Sequence, residues 1–228
     1  MKVKVLEKKD GGKKGKFLLE GSYYSFANAL RRTILLDIPA MAVDRVTIYE
    51  NTGFLYDEMV SKRLGLMPLT TDLKTYSPKD ECKCGGKGCA RCEVALILEK
   101  EGPCVVYMKD IKSRDPKIQP IYGDMPLLKL AQGQKVKIEM VASLGTPKQH
   151  AKFQTALAAY DQKSDTSFEF VVESYDDQPF DTKVKQAIDI LDSKFNDFKA
   201  ALSDSKKKPT KAAAKTKPKK KEAKKKAE

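Results

Sequence analysis

The chain has 228 residues, 41% hydrophobic and 33% charged, with 44 basic side chains against 31 acidic ones and a net charge of +13. That length can bury one large core or two small ones, and no apolar run is long enough to span a bilayer. Residues 206–228 hold twelve lysines and two glutamates, leaving 32 basic and 29 acidic residues before them, so the basicity belongs to an appendage rather than to a folded nucleic-acid-binding face.

Strands are expected at residues 2–6 and 16–20, joined as a hairpin by the Gly- and Lys-rich turn segment 10–15. A helix follows from Phe26 to about Leu36. Phe26, Ala29, Leu30, Thr33 and Ile34 recur on one helical face, with Asn28, Arg31, Arg32 and Asp37 elsewhere. Ser25 is placed to cap its start, and Ile38 before Pro39 is biased away from helical dihedrals and ends it. Residues 42–50 are rich in β-branched types and read as a strand, 51–53 as a turn, and 57–64 as a short helix ended by Gly65 and Pro68.

Further strands are expected at 93–98, 105–108, 135–142 and 168–173. The third alternates cleanly, Val136, Ile138, Met140 and Ala142 on one face and Lys135, Lys137 and Glu139 on the other. Residues 156–166 read as a short connection. A long helix covers 182–202 with Asp181 as its cap. Val184, Ile188, Leu191, Phe195, Phe198 and Leu202 form a continuous apolar seam along it, which needs either the chain's own sheet or a second chain as partner. Residues 206–228 contain no apolar residue larger than alanine, cannot offset their ordering entropy, and are expected to be disordered.

Four of the five cysteines are crowded into Cys82-Lys-Cys-Gly-Gly-Lys-Gly-Cys-Ala-Arg-Cys92, a C-x-C-x4-C-x2-C pattern. Residues 1–10 lack the continuous apolar core of a signal peptide, so a cytoplasmic location is expected, where such cysteines serve metal rather than disulfides. Cys82, Cys84, Cys89 and Cys92 can wrap one tetrahedral ion. Gly85, Gly86 and Gly88 permit the tight turns, and Lys83, Lys87 and Arg91 offset the excess negative charge of four thiolates around Zn²⁺. Buried free thiols are disfavoured because nothing apolar surrounds them. An iron-sulfur cluster is the competing cofactor, but the spacing differs from the common C-x2-C-x2-C-x3-C-P run. Cys104 reads as a small core residue and His150 as a turn or packing residue. Asp176-Asp177 reads as a solvated turn rather than a metal-binding carboxylate pair. No phosphate-binding loop is present, since the glycines belong to the cysteine cluster, and no catalytic residues are assigned.

Three stretches carry a family likeness: Asn28-Ala-Leu-Arg-Arg-Thr33 followed by Ile38-Pro39 and Ala42-Val43, the run from Asp57 to Leu69, and the run from Leu144 to Gln154. They resemble the alpha-like subunits of multisubunit RNA polymerases, in particular the archaeal members of that family, counterparts of the bacterial alpha subunit and of the eukaryotic third-largest polymerase subunit. The resemblance implies an α+β fold with a discontinuous dimerisation domain, residues 1–42 and 143–205. A β-rich domain, 43–142, is inserted into it and carries the four-cysteine metal loop 82–92, and a disordered Lys-rich tail follows at 206–228. It also implies a non-catalytic assembly subunit of DNA-directed RNA polymerase, a nucleotidyltransferase complex, that heterodimerises with subunit L and supports the large catalytic subunits.

By the same likeness, Phe26, Leu30 and Ile34 with Ile188, Leu191, Phe195 and Phe198 supply the subunit interface, and Arg31 and Arg32 face the large subunits. The metal would be structural zinc, as in the eukaryotic counterpart, although this loop has one extra residue between the second and third cysteines. The ferredoxin-like clusters of some archaeal relatives sit in an additional domain before the final helix, for which the short connection 156–166 leaves no room. DNA would be met only indirectly, or nonspecifically through the tail. The rival reading is a self-contained zinc-bearing nucleic-acid-binding protein that uses its basic tail; the cysteine loop lacks the aromatic residues of a base-stacking platform.

Overall fold

The structure is a computed structural model describing residues 1–205; the segment 206–228, expected to be disordered, lies outside the described residues. Residues 1–191 form one compact unit, and the described residues from Asp192 onward are the remaining turns of the last helix.

The first sheet is antiparallel in the order β1-β2-β10-β9, built from β1 (Lys2–Lys9), β2 (Lys14–Glu20), β9 (Ala156–Ser164) and β10 (Ser167–Ser174). Alternation in β10 puts Phe168, Phe170 and Val172 on the core face. Phe170 lies opposite Phe17 of β2, and their rings stack with centroids 4.9 Å apart. Helix α1 (Tyr24–Leu36) packs over this face with Ala27, Leu30 and Ile34. It begins earlier than expected. The carbonyl of Tyr23 accepts from the Phe26 and Ala27 amides, so Ser25 lies inside the helix and does not cap it. Its end is where Pro39 requires, with Asp37 as the last half-helical residue.

Strand β9 replaces the short connection expected at 156–166. Its inward positions are Ala156 and Ala158, whereas Leu157 points out, so the hydrophobic pattern understates the strand. Alanine suits a strand on which α1 lies closely.

Helix α3 (Phe180–Ser205) also starts earlier than expected, placing Asp181 within the first turn rather than at the cap. Phe180 is wedged against β2 at Gly15, where any Cβ would collide with its ring. One turn on, the Lys183 ammonium pairs with Asp176, each side chain only 1% exposed. Ser174 Oγ donates to Asp176 Oδ1 at 2.7 Å, the Gln178 amide donates to the same oxygen at 3.0 Å, and Lys183 Nζ donates to Thr155 Oγ1 at 3.2 Å. Asp176 is therefore a buried anchor for α3, not the solvated turn residue expected.

The second sheet runs β3-β8-β4-β6, with β3 (Ala40–Asn51), β4 (Glu93–Glu101), β6 (Lys112–Ser113) and β8 (Lys135–Gly145). Val136, Ile138, Met140 and Ala142 of β8 are buried as their alternation requires, against Leu96 and Leu98 of β4. Val60 and Leu64 of α2 (Asp57–Gly65) join the same core. A separate ribbon pairs β5 (Cys104–Tyr107) with β7 (Pro126–Leu130), and Leu127, Leu128 and Leu130 fill the core beside it. Strand β6 escaped the sequence reading because two residues show no period, and β7 because it opens on Pro126 and buries Leu127 and Leu128 in succession, which breaks the alternation of a strand. No described helix is long and apolar enough to cross a membrane.

Asp176→Ala should strand the buried Lys183 charge and cost about 3–5 kcal/mol in chemical denaturation. Asp176→Leu combined with Lys183→Met should recover most of that loss, and equal loss in both variants would show that the ion pair is not the cause.

Candidate metal centre

The cysteine loop leaves the short helical turn Lys79–Glu81 and ends directly at β4. Its four sulfurs all lie within 4.8 Å of one another. Cys82 and Cys89 are separated by 3.5 Å, Cys84 and Cys92 by 3.7 Å, and Cys89 and Cys92 by 3.8 Å, measured between Sγ atoms. A tetrahedral ion with metal–sulfur bonds of about 2.3 Å sets its ligands about 3.8 Å apart, so the donor set fits a single ion. Gly85, Gly86 and Gly88 have φ of +64°, +80° and +88°, left-handed conformations that tighten the wrap.

Electrostatics favour a bound cation. Burial, joined by the neighbouring thiols, pushes Cys92 up to about 12. The hydrogen bond with Cys82, joined by backbone amides, draws Cys84 down to about 7, while Cys82 itself is raised. The thiols of Cys82 and Cys92 thus resist ionisation in the absence of a cation. A divalent ion at their centre would supply the missing charge and release their protons.

The loop is tied down at its base. The Ser77 amide donates to the Arg91 carbonyl at 3.0 Å. Next to it Tyr76 is buried, and its hydroxyl donates to Asp115 Oδ2 at 2.5 Å. Burial first, then the Asp115 carboxylate, raises the Tyr76 phenol to about 12. Asp72 organises the preceding turn: Oδ2 accepts from the Thr75 hydroxyl at 2.7 Å, and Oδ1 accepts from the Lys74 amide at 2.9 Å and the Thr75 amide at 3.2 Å. Lys117 lies 3.3 Å from Oδ2. The Thr75 hydroxyl foremost, with the backbone amides and Lys117, lowers the Asp72 carboxyl from 3.8 to about 2. An Asp followed three residues later by Thr was the available sequence signal for this turn.

The remaining candidate residues are distributed differently from the expectation. Leu30 and Ile34 are 2% and 1% exposed, filled in by the chain's own core, with Phe26 packed partly against it. They therefore offer little surface to a partner. Leu191 is also partly buried on that core, whereas Ile188, Phe195 and Phe198 are 46%, 59% and 62% exposed. Arg32 is exposed, and Arg31 is partly covered and donates through Nη2 to Asn28 Oδ1 at 3.2 Å. His150 serves as a turn residue, its Nδ1 accepting from the Lys152 amide at 3.0 Å.

The description "RNA polymerase Rpb3/RpoA insert domain" belongs to a family whose profile matches residues 46–162, half of the chain and the whole of the cysteine loop. The chain belongs to this family. Among its relatives are proteins named DNA-directed RNA polymerase subunit Rpo3. That of Methanosarcina mazei is 44% identical over 159 residues, covering 69% of this chain and 59% of the relative. Those of Archaeoglobus fulgidus and Pyrococcus furiosus are each 43% identical, covering 67% and 70% of this chain and 57% and 58% of theirs. The chain thus spans less than two thirds of the length of the family members it matches.

Because the folded-state Asp72 carboxyl is depressed, its stabilisation is complete above about pH 4 and is lost as pH falls from there through about 2. In urea denaturation the native chain should exceed Asp72→Asn at neutral pH, and the two midpoints should converge towards pH 2. A gap that stays constant with pH would contradict this role.

Proposed function

We propose that the chain is a non-catalytic assembly subunit of an archaeal-type, cytoplasmic DNA-directed RNA polymerase. It would pair with subunit L and present a platform to the large catalytic subunits, with nucleotidyl transfer carried out elsewhere in the complex. The observation that carries this reading is family membership together with the exposed aromatic seam of α3. Ile188, Phe195 and Phe198 follow a helical repeat and are left in water, a surface that favours a second apolar chain.

In this reading residues 1–42 and 143–205 make up the dimerisation part and 43–142 the inserted part, supported by two separate apolar cores, with Met41 and Leu144 at the junctions packing in the core of the inserted part. Leu30 and Ile34 act from beneath by holding α1 on the sheet, and Phe26 and Leu191 edge the contact. Arg31 and Arg32 are assigned to the large subunits. The cysteine loop is assigned structural zinc: four thiolates around one ion leave no open position for a reacting water. Sulfurs within 4.8 Å favour one ion over a polynuclear cluster, which divides its thiolates among several irons. The near balance of charge outside residues 206–228 favours a protein partner over direct nucleic-acid binding by the folded part.

Phe195→Asp with Phe198→Asp should abolish the one-to-one complex with subunit L in size-exclusion chromatography with light scattering, while leaving the chain's circular dichroism unchanged. An intact complex would overturn the interface assignment. Metal analysis of the native chain should give about one zinc per chain, and an iron-containing chromophore would overturn the metal assignment.

A further inference from the structure

β3 and β8 pair in steady register except at two irregularities, the first between Val43 and Arg45. A residue inserted in a ladder leaves its side chain free to be re-aimed, and here that residue is Asp44. Its two oxygens take two lysines from distant parts of the chain. Oδ2 lies 2.9 Å from Lys79 Nζ and Oδ1 lies 3.0 Å from Lys152 Nζ. Lys152 also donates to the Val43 carbonyl at 3.1 Å, at the same irregularity.

Lys79 stands in the turn that enters the cysteine loop, and its ammonium reaches on to Glu93 at 3.0 Å. Glu93 is the first residue after Cys92. Its carboxylate lies so close over Gly88 that a Cβ there would collide with it, and Arg45 approaches from β3 at 3.7 Å. Both roots of the loop are thus held by one set of charges. Lys152 stands in the short turn Ala151–Phe153 of the crossover 146–155, which carries the chain from the end of β8 to β9. Phe153 of the same turn is buried against Gly145. Isolated exposed ion pairs contribute little, but these charges form one network, and the Lys152 side chain is only 14% exposed.

We propose that Asp44 couples metal loading in the cysteine loop to the order of the crossover 146–155. Closing four thiolates on an ion fixes Cys82 and Cys92, and with them the neighbouring Lys79 and Glu93. Asp44, gripped by Lys79, then holds Lys152 and the turn that carries it. The metal would in this way stiffen the segment that leads from one apolar core to the other. This coupling rests on the metal reading of Cys82, Cys84, Cys89 and Cys92.

Hydrogen–deuterium exchange on the full chain, zinc-loaded against chelator-treated, tests it. The amides of Phe153 and Gln154, bonded to the His150 and Ala151 carbonyls, should exchange several-fold more slowly with zinc. Asp44→Asn should erase that difference while residues 82–92 still gain protection on zinc binding, and Lys152→Met should do the same from the other end. A crossover indifferent to zinc in the native chain, or a full zinc effect in both variants, would overturn the coupling while leaving the metal site intact. Failure of the native chain to retain zinc would remove the metal reading and the coupling together.

Discussion

The pairing of β3 with β8 is the constraint on which the rest of the structure depends. Ala40 lies opposite Gly145 and Asn51 opposite Val136, so this ladder closes the long excursion between the two strands. The closure entropy of such a loop grows only slowly with its length, and a ladder buried on one face can offset it. Once it is closed, the segments before β3 and after β8 start from neighbouring points. β2 and β10 can then pair across most of the chain's length to form the centre of the other sheet. α2 and the strands enclosed by the ladder share one core with it, while β2, β9, β10, α1 and the first turns of α3 build the second.

The two cores are secured by different means. Around α1 and β10, aromatic rings and close helix-to-strand contact dominate, and the buried Lys183–Asp176 pair fixes where α3 departs. A buried ion pair is costly to desolvate, so its net contribution is small while both partners are present, whereas removing either one leaves an unpaired buried charge. The cysteine loop has almost no apolar side chains of its own. It is held by the Ser77–Arg91 hydrogen bond and by charges at its roots, and an ion bound by its four sulfurs would make binding and local folding one equilibrium there.

Much of this was legible in the sequence where periodicity was strong. The alternation of β8, the face of α1 and the four cysteines all read directly, because burial and metal binding both impose spacing on residue types. The failures have physical causes as well. β9 turns alanines inward and Leu157 outward, so its pattern argues against the strand it forms. Asp176 looked solvated because its partner, Lys183, is a lysine on the inward face of a helix, where Phe180 and Ala187 flank it at helical spacing; that misplaced lysine was the signal. The Asp44 network had none, since a bulge and salt bridges between distant residues leave no local pattern. Leu30 and Ile34 could be placed on an apolar face, but which side of the sheet that face would meet is a tertiary fact.

The proposed reading makes this chain a platform: two cores joined through one ladder and one crossover, a four-cysteine loop able to hold a metal, and an exposed aromatic helix face offered to another chain. Native mass spectrometry of the chain co-expressed with an archaeal subunit L tests this most directly. The expected result is a single species holding one copy of each chain and one zinc ion. A metal-free monomer or homodimer that ignores subunit L and takes up nucleic acid instead would contradict it.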